Sequence, residues 1–362
     1  MIRSLYSVKD ATLYEKYPSL NTGIDALLEI SKIVDQTSSY NSRVLVKFDL
    51  AELVSSYQLS VLTQTASFYL KLTAANPTEI PTEYTLYSYP VSQSWNMGTG
   101  RFSVKDSGSN GVSWNYKLTS LNTGSVWATS SFASTTTASW STNPGGGNWY
   151  TSSVHSQSFN YETADVTINV TNTVRNWLLS TIPNEGFLIK RSDQDEQSTS
   201  TLLGALRFFS KESNTIYSPR LEMRYDDSIY HTSHSVVNHT EEVVVNITNL
   251  QEIYKETGQA RMNVSARPKY PTRTHATSSN YLDIYQLPSS SFYSIRDAHT
   301  DITFVPFDET NTKISADANG NFFLLNFNGL PVQRYYKVLI MSKVGSNEQY
   351  YYDNNWIFKV IQ

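Results

Sequence analysis

Ser42-Arg43-Val44-Leu45-Val46-Lys47-Phe48-Asp49-Leu50 decides how this chain is read. Val44, Val46, Phe48 and Leu50 alternate with Arg43, Leu45, Lys47 and Asp49, a period of two that predicts a half-buried strand. Working outward, residues 67–72 and 84–89 repeat the strand pattern, and 186–190, 206–209 and 221–225 return to it. One helix interrupts the strands. Val170, Val174, Trp177 and Leu178 fall at i, i+4, i+7 and i+8, Asn169 or Thr171 is placed to cap them, and Pro183 lies beyond the end.

Composition agrees with an all-β chain. Tyr alone supplies 25 of 362 residues, aromatic residues reach 13% and charged residues only 17%. Strands favour aromatic and β-branched side chains, and turns favour Asn, Ser and Gly. The length suits two domains, each with its own core. A net charge of −4 and a pI near 5.9 argue against nucleic acid as the main partner, because phosphate binding needs a basic face. The chain has no Cys, which excludes disulfides, thiolate metal sites and a Cys nucleophile. The opening Met1-Ile2-Arg3-Ser4-Leu5-Tyr6 lacks a signal-peptide pattern, and no stretch approaches the ~18 apolar residues of a membrane helix. These features predict a product folded in the cytoplasm, with no membrane partner.

Residues 92–160 are poor in charge and rich in Ser, Thr, Gly and Trp, with Gly145-Gly146-Gly147 before Asn148-Trp149-Tyr150. So many aromatics predict short strands with ordered loops, not disorder. The segment holds more Trp than one core requires, so Trp95, Trp127, Trp140, Trp149 and Tyr150 are the expected interface residues. Residues 228–240 read as a linker. After it, about seven short strands in 241–362 predict an immunoglobulin-like sandwich with mostly internal aromatics.

The first 227 residues resemble the DNRLRE family of β-sandwich modules. The likeness rests on Asp10-Ala11-Thr12, Asn21-Thr22-Gly23, the Arg43 strand, Asp165-Val166-Thr167 with Val174 and Trp177, Phe209-Ser210-Lys211-Glu212, and Pro219-Arg220-Leu221. It implies a jelly-roll-like β-sandwich with one short helix. A wider resemblance, to structural proteins of tailed bacteriophages including T4-like phages of marine bacteria, rests on 94–100, 111–114, 145–150, 287–295, 312–317 and 329–336. Lys211 stands where many relatives carry Arg, and Ala316 where the phage relatives commonly carry Cys. The resemblance implies a virion component of the capsid, neck, tail or baseplate, assembled in the host cytoplasm and docked as a homo-oligomer onto other virion proteins. The other reading is a carbohydrate-binding adhesion module that touches a host-surface glycan.

No residue pattern supports an enzyme, and no cofactor or metal is expected. His231, His234 and His239 sit close in sequence, but without a helix to align them a solvated linker is the plainer reading. Asp193-Gln194-Asp195-Glu196 has oxygens for calcium, yet exposed acids on a loop explain it as well. Asp317-Ala318-Asn319-Gly320-Asn321 lacks the twelfth-position glutamate of a calcium loop and reads as a hairpin turn. No recognisable carboxylate pair marks a glycosidase.

Overall fold

A computed structural model of the chain describes every residue except 36–37, 59–64, 77–80, 82, 105–109, 121–122, 129–136, 140–144, 161–162, 199–202, 272–282 and 346–347. The fold is all-β, with three short α-helices among the described residues. It divides into two compact units, Leu5–Glu222 and Met1–Ser4 with Met223–Gln362.

The Leu5–Glu222 unit is built on a ten-stranded sheet. Its main path runs His155–Phe159, Tyr84–Pro90, Phe187–Lys190, Ser38–Phe48, Ile2–Tyr14, Arg220–Arg224, Ser67–Leu72 and Val166–Asn169. Leu27–Asp35 branches from Ser38–Phe48 and pairs with Gly204–Phe209. The strand read as half-buried is central. Arg43, Val44, Leu45 and Val46 are all buried, so both faces are covered. Strand neighbours account for the edges, with Leu45 opposite Ala11 on one side and Leu188 on the other. The tryptophan segment accounts for the second face.

Among the described residues three α-helices stand where one was expected. α1 is Ala51–Gln58, α2 is Thr171–Leu178 and α3 is Asp193–Gln197. In α2, Val174, Trp177 and Leu178 are buried as their spacing predicts. α3 is a single turn in which the Ser192 side chain accepts a hydrogen bond from the Asp195 N–H, a short-range cap that supports it.

The Met223–Gln362 unit holds two sheets. One has six strands, with Val243–Ile247, Gln259–Pro268 and Gly320–Asn326 among them. The other has five, ordered Ile253–Lys255, Glu348–Ile361, Arg334–Val344, Ser291–Asp297 and Thr303–Val305. Their alternating buried positions, such as Met262, Val264 and Ala266 against Trp356, Phe358 and Val360, supply the core. Residues 228–240, read as a linker, are woven into this unit instead. Ser235–Val236 pairs with Tyr285–Gln286, the His231 N–H donates to the Ala316 carbonyl at 2.9 Å, and the Val237 N–H donates to the Gln286 carbonyl at 2.8 Å. Backbone groups along this polar stretch complete a sheet edge without needing apolar periodicity.

Candidate functional site

Of the polar residues that carry the likeness, Asp10, Thr12, Asn21, Thr22, Arg43 and Ser210 are buried, whereas Lys211, Glu212 and Arg220 are half-buried and Asp165 and Thr167 are exposed. Asn21 sits in a loop between strands with its amide fully used. Its Nδ2 donates to the carbonyls of Met97 and Val112, both at 2.7 Å, and its Oδ1 accepts from the N–H of Gly100 at 2.7 Å and of Gly23 at 3.4 Å. Gly98, at φ +77°, lies against this amide, and an added Cβ would meet the Asn110 carbonyl at 1.9 Å. Asp10 accepts from the Lys211 N–H at 2.8 Å and the Ser7 hydroxyl at 3.2 Å through one oxygen. Burial pushes its carboxyl up to about 6, against those hydrogen bonds. Glu222 is buried and pairs with Lys71 at 2.8 Å.

Arg43 is the centre of the largest of these arrangements. Its Nε and Nη2 donate to the two carboxylate oxygens of Glu196 at 3.0 and 2.7 Å, and its Nη1 donates to the Gly146 carbonyl at 2.6 Å. The guanidinium carbon lies 4.9 Å from the Trp114 ring centroid and 5.2 Å from that of Trp149. Lys190 shares Glu196 at 3.0 Å, reaches Asp193, and lies over Trp149. Lys32 is buried and donates to the carbonyls of Asp195 and Ser198 at the end of α3. Burial pushes the Lys32 ammonium down, opposed by Asp195 and Glu196. The geometry is that of a desolvated, mutually satisfied ion cluster stacked on indoles. It fastens α3 and the 145–149 turn to the sheet.

Of the acids at 193–196, Asp193 is exposed as a loop acid would be, but Glu196 is not. Glu196 is buried on Arg43 and Lys190 because α3 turns it inward, and the Asp193 carboxylate also meets Lys190. The three histidines are dispersed in their contacts. The His231 backbone joins Ala316, His234 Nε2 lies 2.8 Å from the Ala318 carbonyl, and His239 meets the Tyr352 hydroxyl at 2.9 Å with its ring tilted against Tyr350. Among the described residues no group of three or more His, Asp and Glu side chains is disposed to hold a metal ion. Asp317 and Gly320 face each other across a hairpin.

Three of the residues expected at an interface, Trp95, Trp127 and Trp149, are core residues instead. Trp95, Trp127 and Trp149 are buried in one cluster with Leu13, Leu45, Val112, Trp114 and Leu188. The Trp95 indole N–H donates to the Glu185 carbonyl at 2.8 Å and that of Trp127 to the Ser113 carbonyl at 3.1 Å. These rings close over the charged face of the central strand, which is why the segment carries so many. Tyr150 is partly buried, in a strand paired with Thr137–Ser139. Trp140 lies outside the described residues. The sequence offered no sign of Glu196 or Lys190 as partners of Arg43, since both stand far along the chain among ordinary surface residue types.

No protein-family model matches the chain, and no curated protein matches it. Among solved structures, the adhesin domain of Epf from Streptococcus pyogenes aligns with 100% of this chain and 99% of its own at 8% identity and a TM-score of 0.19. A likeness of that size carries no weight for fold or function.

Proposed function

We propose that this chain is a non-enzymatic structural component of a tailed-phage virion that works by docking against neighbouring subunits. The observation that carries the proposal is the outer face of the five-stranded sheet in the Met223–Gln362 unit. Ile253, Tyr335 and Ile357 stand exposed there at 53%, 44% and 40%. Register sets Ile253 and Tyr335 on either side of Lys359, and Ile357 opposite Lys337. The Lys359 ammonium lies 5.5 Å from the Tyr335 ring centroid. An outward sheet face is ordinarily polar, so apolar groups gathered across three adjacent strands mark a surface that another molecule covers. Aromatic and aliphatic anchors bordered by charge are the usual make-up of such contacts.

A second support is the place of the virion-like segments. Residues 94–100 and 111–114 wrap Asn21, 145–150 wrap Arg43, and in 329–336 the Tyr336 hydroxyl donates to the Pro331 carbonyl at 2.5 Å. These are positions on which the fold depends, so relatives of the same fold would share them. The departure at Lys211 is harmless to the frame, because its bond to Asp10 runs through the backbone N–H. Symmetric repetition in a particle would multiply a modest contact of this kind.

Mass spectrometry of purified particles tests the proposal. The chain is expected at a fixed copy number, and a Tyr335→Asp/Ile357→Asp double variant supplied in trans should melt normally yet fail to enter particles. Absence of the chain from particles, or incorporation of the variant at the normal level, would count against it.

A further inference from the structure

The ribbon of Leu27–Asp35 and Gly204–Phe209 carries a groove of 590 Å³, within the ~300–1,000 Å³ of small-molecule sites. The sequence explains its shape. Leu28 and Ile30 turn into the core, while Leu27, Glu29 and Ile33 line the groove. Glu29 stands opposite Arg207, but Ser31 and Lys32 stand opposite Ala205 and Gly204, whose small size leaves the floor low. Phe102 forms one wall, 37% exposed, with its ring 4.9 Å from Tyr14 and 5.6 Å from Tyr17. Asp25 tethers that wall, accepting from the Phe102 N–H at 3.2 and 3.0 Å through its two oxygens.

Charge decides which ligand class the groove fits. Glu29 is met by Arg207 at 3.0 Å, so neither offers a free ion. Burial raises the Asp25 carboxyl, against the Phe102 N–H and Arg101, and raises the Tyr14 hydroxyl further, with Glu29 and Asp25 adding to it. The Asp25 and Glu29 carboxylates are opposed by the Arg101 and Arg207 guanidiniums, so the groove presents oriented donors and acceptors with little net charge, next to an exposed ring. An anion or a cation would find no unmatched counter-charge of full strength. A cyclic polyol, with an apolar C–H face and a hydroxyl edge, matches both parts.

We infer that this groove is a binding site for a neutral saccharide, which lies against Phe102 and hydrogen-bonds to Asp25, Glu29 and Arg207. The site goes beyond the docking role and does not depend on it.

Saturation-transfer NMR and titration of the full chain test the site, with glucose-, galactose-, mannose- and N-acetylglucosamine-based oligosaccharides of two to six units as probes. Sialylated and sulfated oligosaccharides and a lysine-rich peptide serve as charged comparators. At least one neutral oligosaccharide should bind, and Phe102→Ala and Arg207→Gln should each weaken it by about tenfold, a factor worth ~1.4 kcal/mol. Phe102→Leu keeps an apolar filler against Tyr14 and Tyr17, should melt near the wild-type temperature, and should lose the same affinity. Tyr335→Asp/Ile357→Asp should bind the saccharide normally, which separates this site from the docking face. Absence of binding by any neutral probe at on the order of 10 mM, binding indifferent to Phe102→Leu and Arg207→Gln, or preference for a charged comparator would overturn the inference.

Discussion

Arg43 and Glu196 form a buried two-pronged ion pair, Nε to Oε1 at 3.0 Å and Nη2 to Oε2 at 2.7 Å, although 153 positions separate them in sequence. The pair joins the central strand to a one-turn helix, and Lys190 completes it through the same carboxylate. Glycine, tryptophan and charge around it thereby become one structural unit.

Removing the carboxylate leaves the buried Arg43 without a counter-ion and Lys190 with Asp193 alone. Glu196→Gln should therefore cost about 3–5 kcal/mol in denaturant unfolding. The double replacement Arg43→Met/Glu196→Met should cost less than the two single replacements added together, since neither charge is then left alone. A loss below ~1 kcal/mol for Glu196→Gln would mean the pair behaves as an exposed one.

Asp10 makes stability depend on pH. Its carboxyl moves from an ordinary 3.8 to about 6 in the folded chain, so the native state holds the proton more readily than the unfolded one. Its contribution is fully present below the unfolded value and is lost as pH rises through about 6. A shift of that size is worth on the order of 3 kcal/mol. Unfolding curves from pH 4 to 7 should show the wild type losing stability relative to Asp10→Asn as pH rises. Parallel profiles would contradict this account of the site.

Two glycines separate backbone strain from crowding. Gly345 has φ +65° and open space around it, so Gly345→Ala should cost only the intrinsic ~1–2 kcal/mol of the left-handed region. Gly146 has φ +72°, and its added Cβ would sit 2.4 Å from Arg43 Nη1. Arg43 is held by Glu196 and two indoles and has nowhere to swing, so Gly146→Ala should cost clearly more. Equal losses in thermal unfolding would show that the Arg43 side chain yields.

The tryptophans should behave as core residues. In a Trp140→Phe background, iodide should quench the intrinsic fluorescence weakly, because Trp95, Trp114, Trp127, Trp149, Trp177 and Trp356 are all buried. Trp127→Ala should cost about 3–5 kcal/mol. Strong quenching of the folded chain would return these rings to the surface.

Much of the frame was legible because local pattern carries it. The period of two at Val44–Phe48 and the 3.6-residue face of Val174, Trp177 and Leu178 each reflect one element against one core. The second face of the central strand was not legible. Arg43 looks like a solvent residue until a partner 153 positions away removes that need. The surplus of tryptophan was visible, but whether those rings cover a neighbour or their own sheet depends on how 92–160 folds back, which no local period encodes. α3 is too short to show periodicity, and its acids mimic an exposed loop. In the second unit, Ile357 and Lys359 alternate visibly with Trp356, Phe358 and Val360, yet both sets contain apolar side chains. Pattern alone did not reveal that one of the two would leave Ile357 and Tyr335 in solvent.

The most direct measurement of the docking role is a near-atomic cryo-EM map of the intact particle. It should place this chain in repeated, symmetric positions, with Ile253, Tyr335 and Ile357 covered by a neighbouring subunit and Trp95, Trp127 and Trp149 inside their own fold. A map in which the chain is missing, or in which that sheet face is bathed in solvent at every copy, would contradict it.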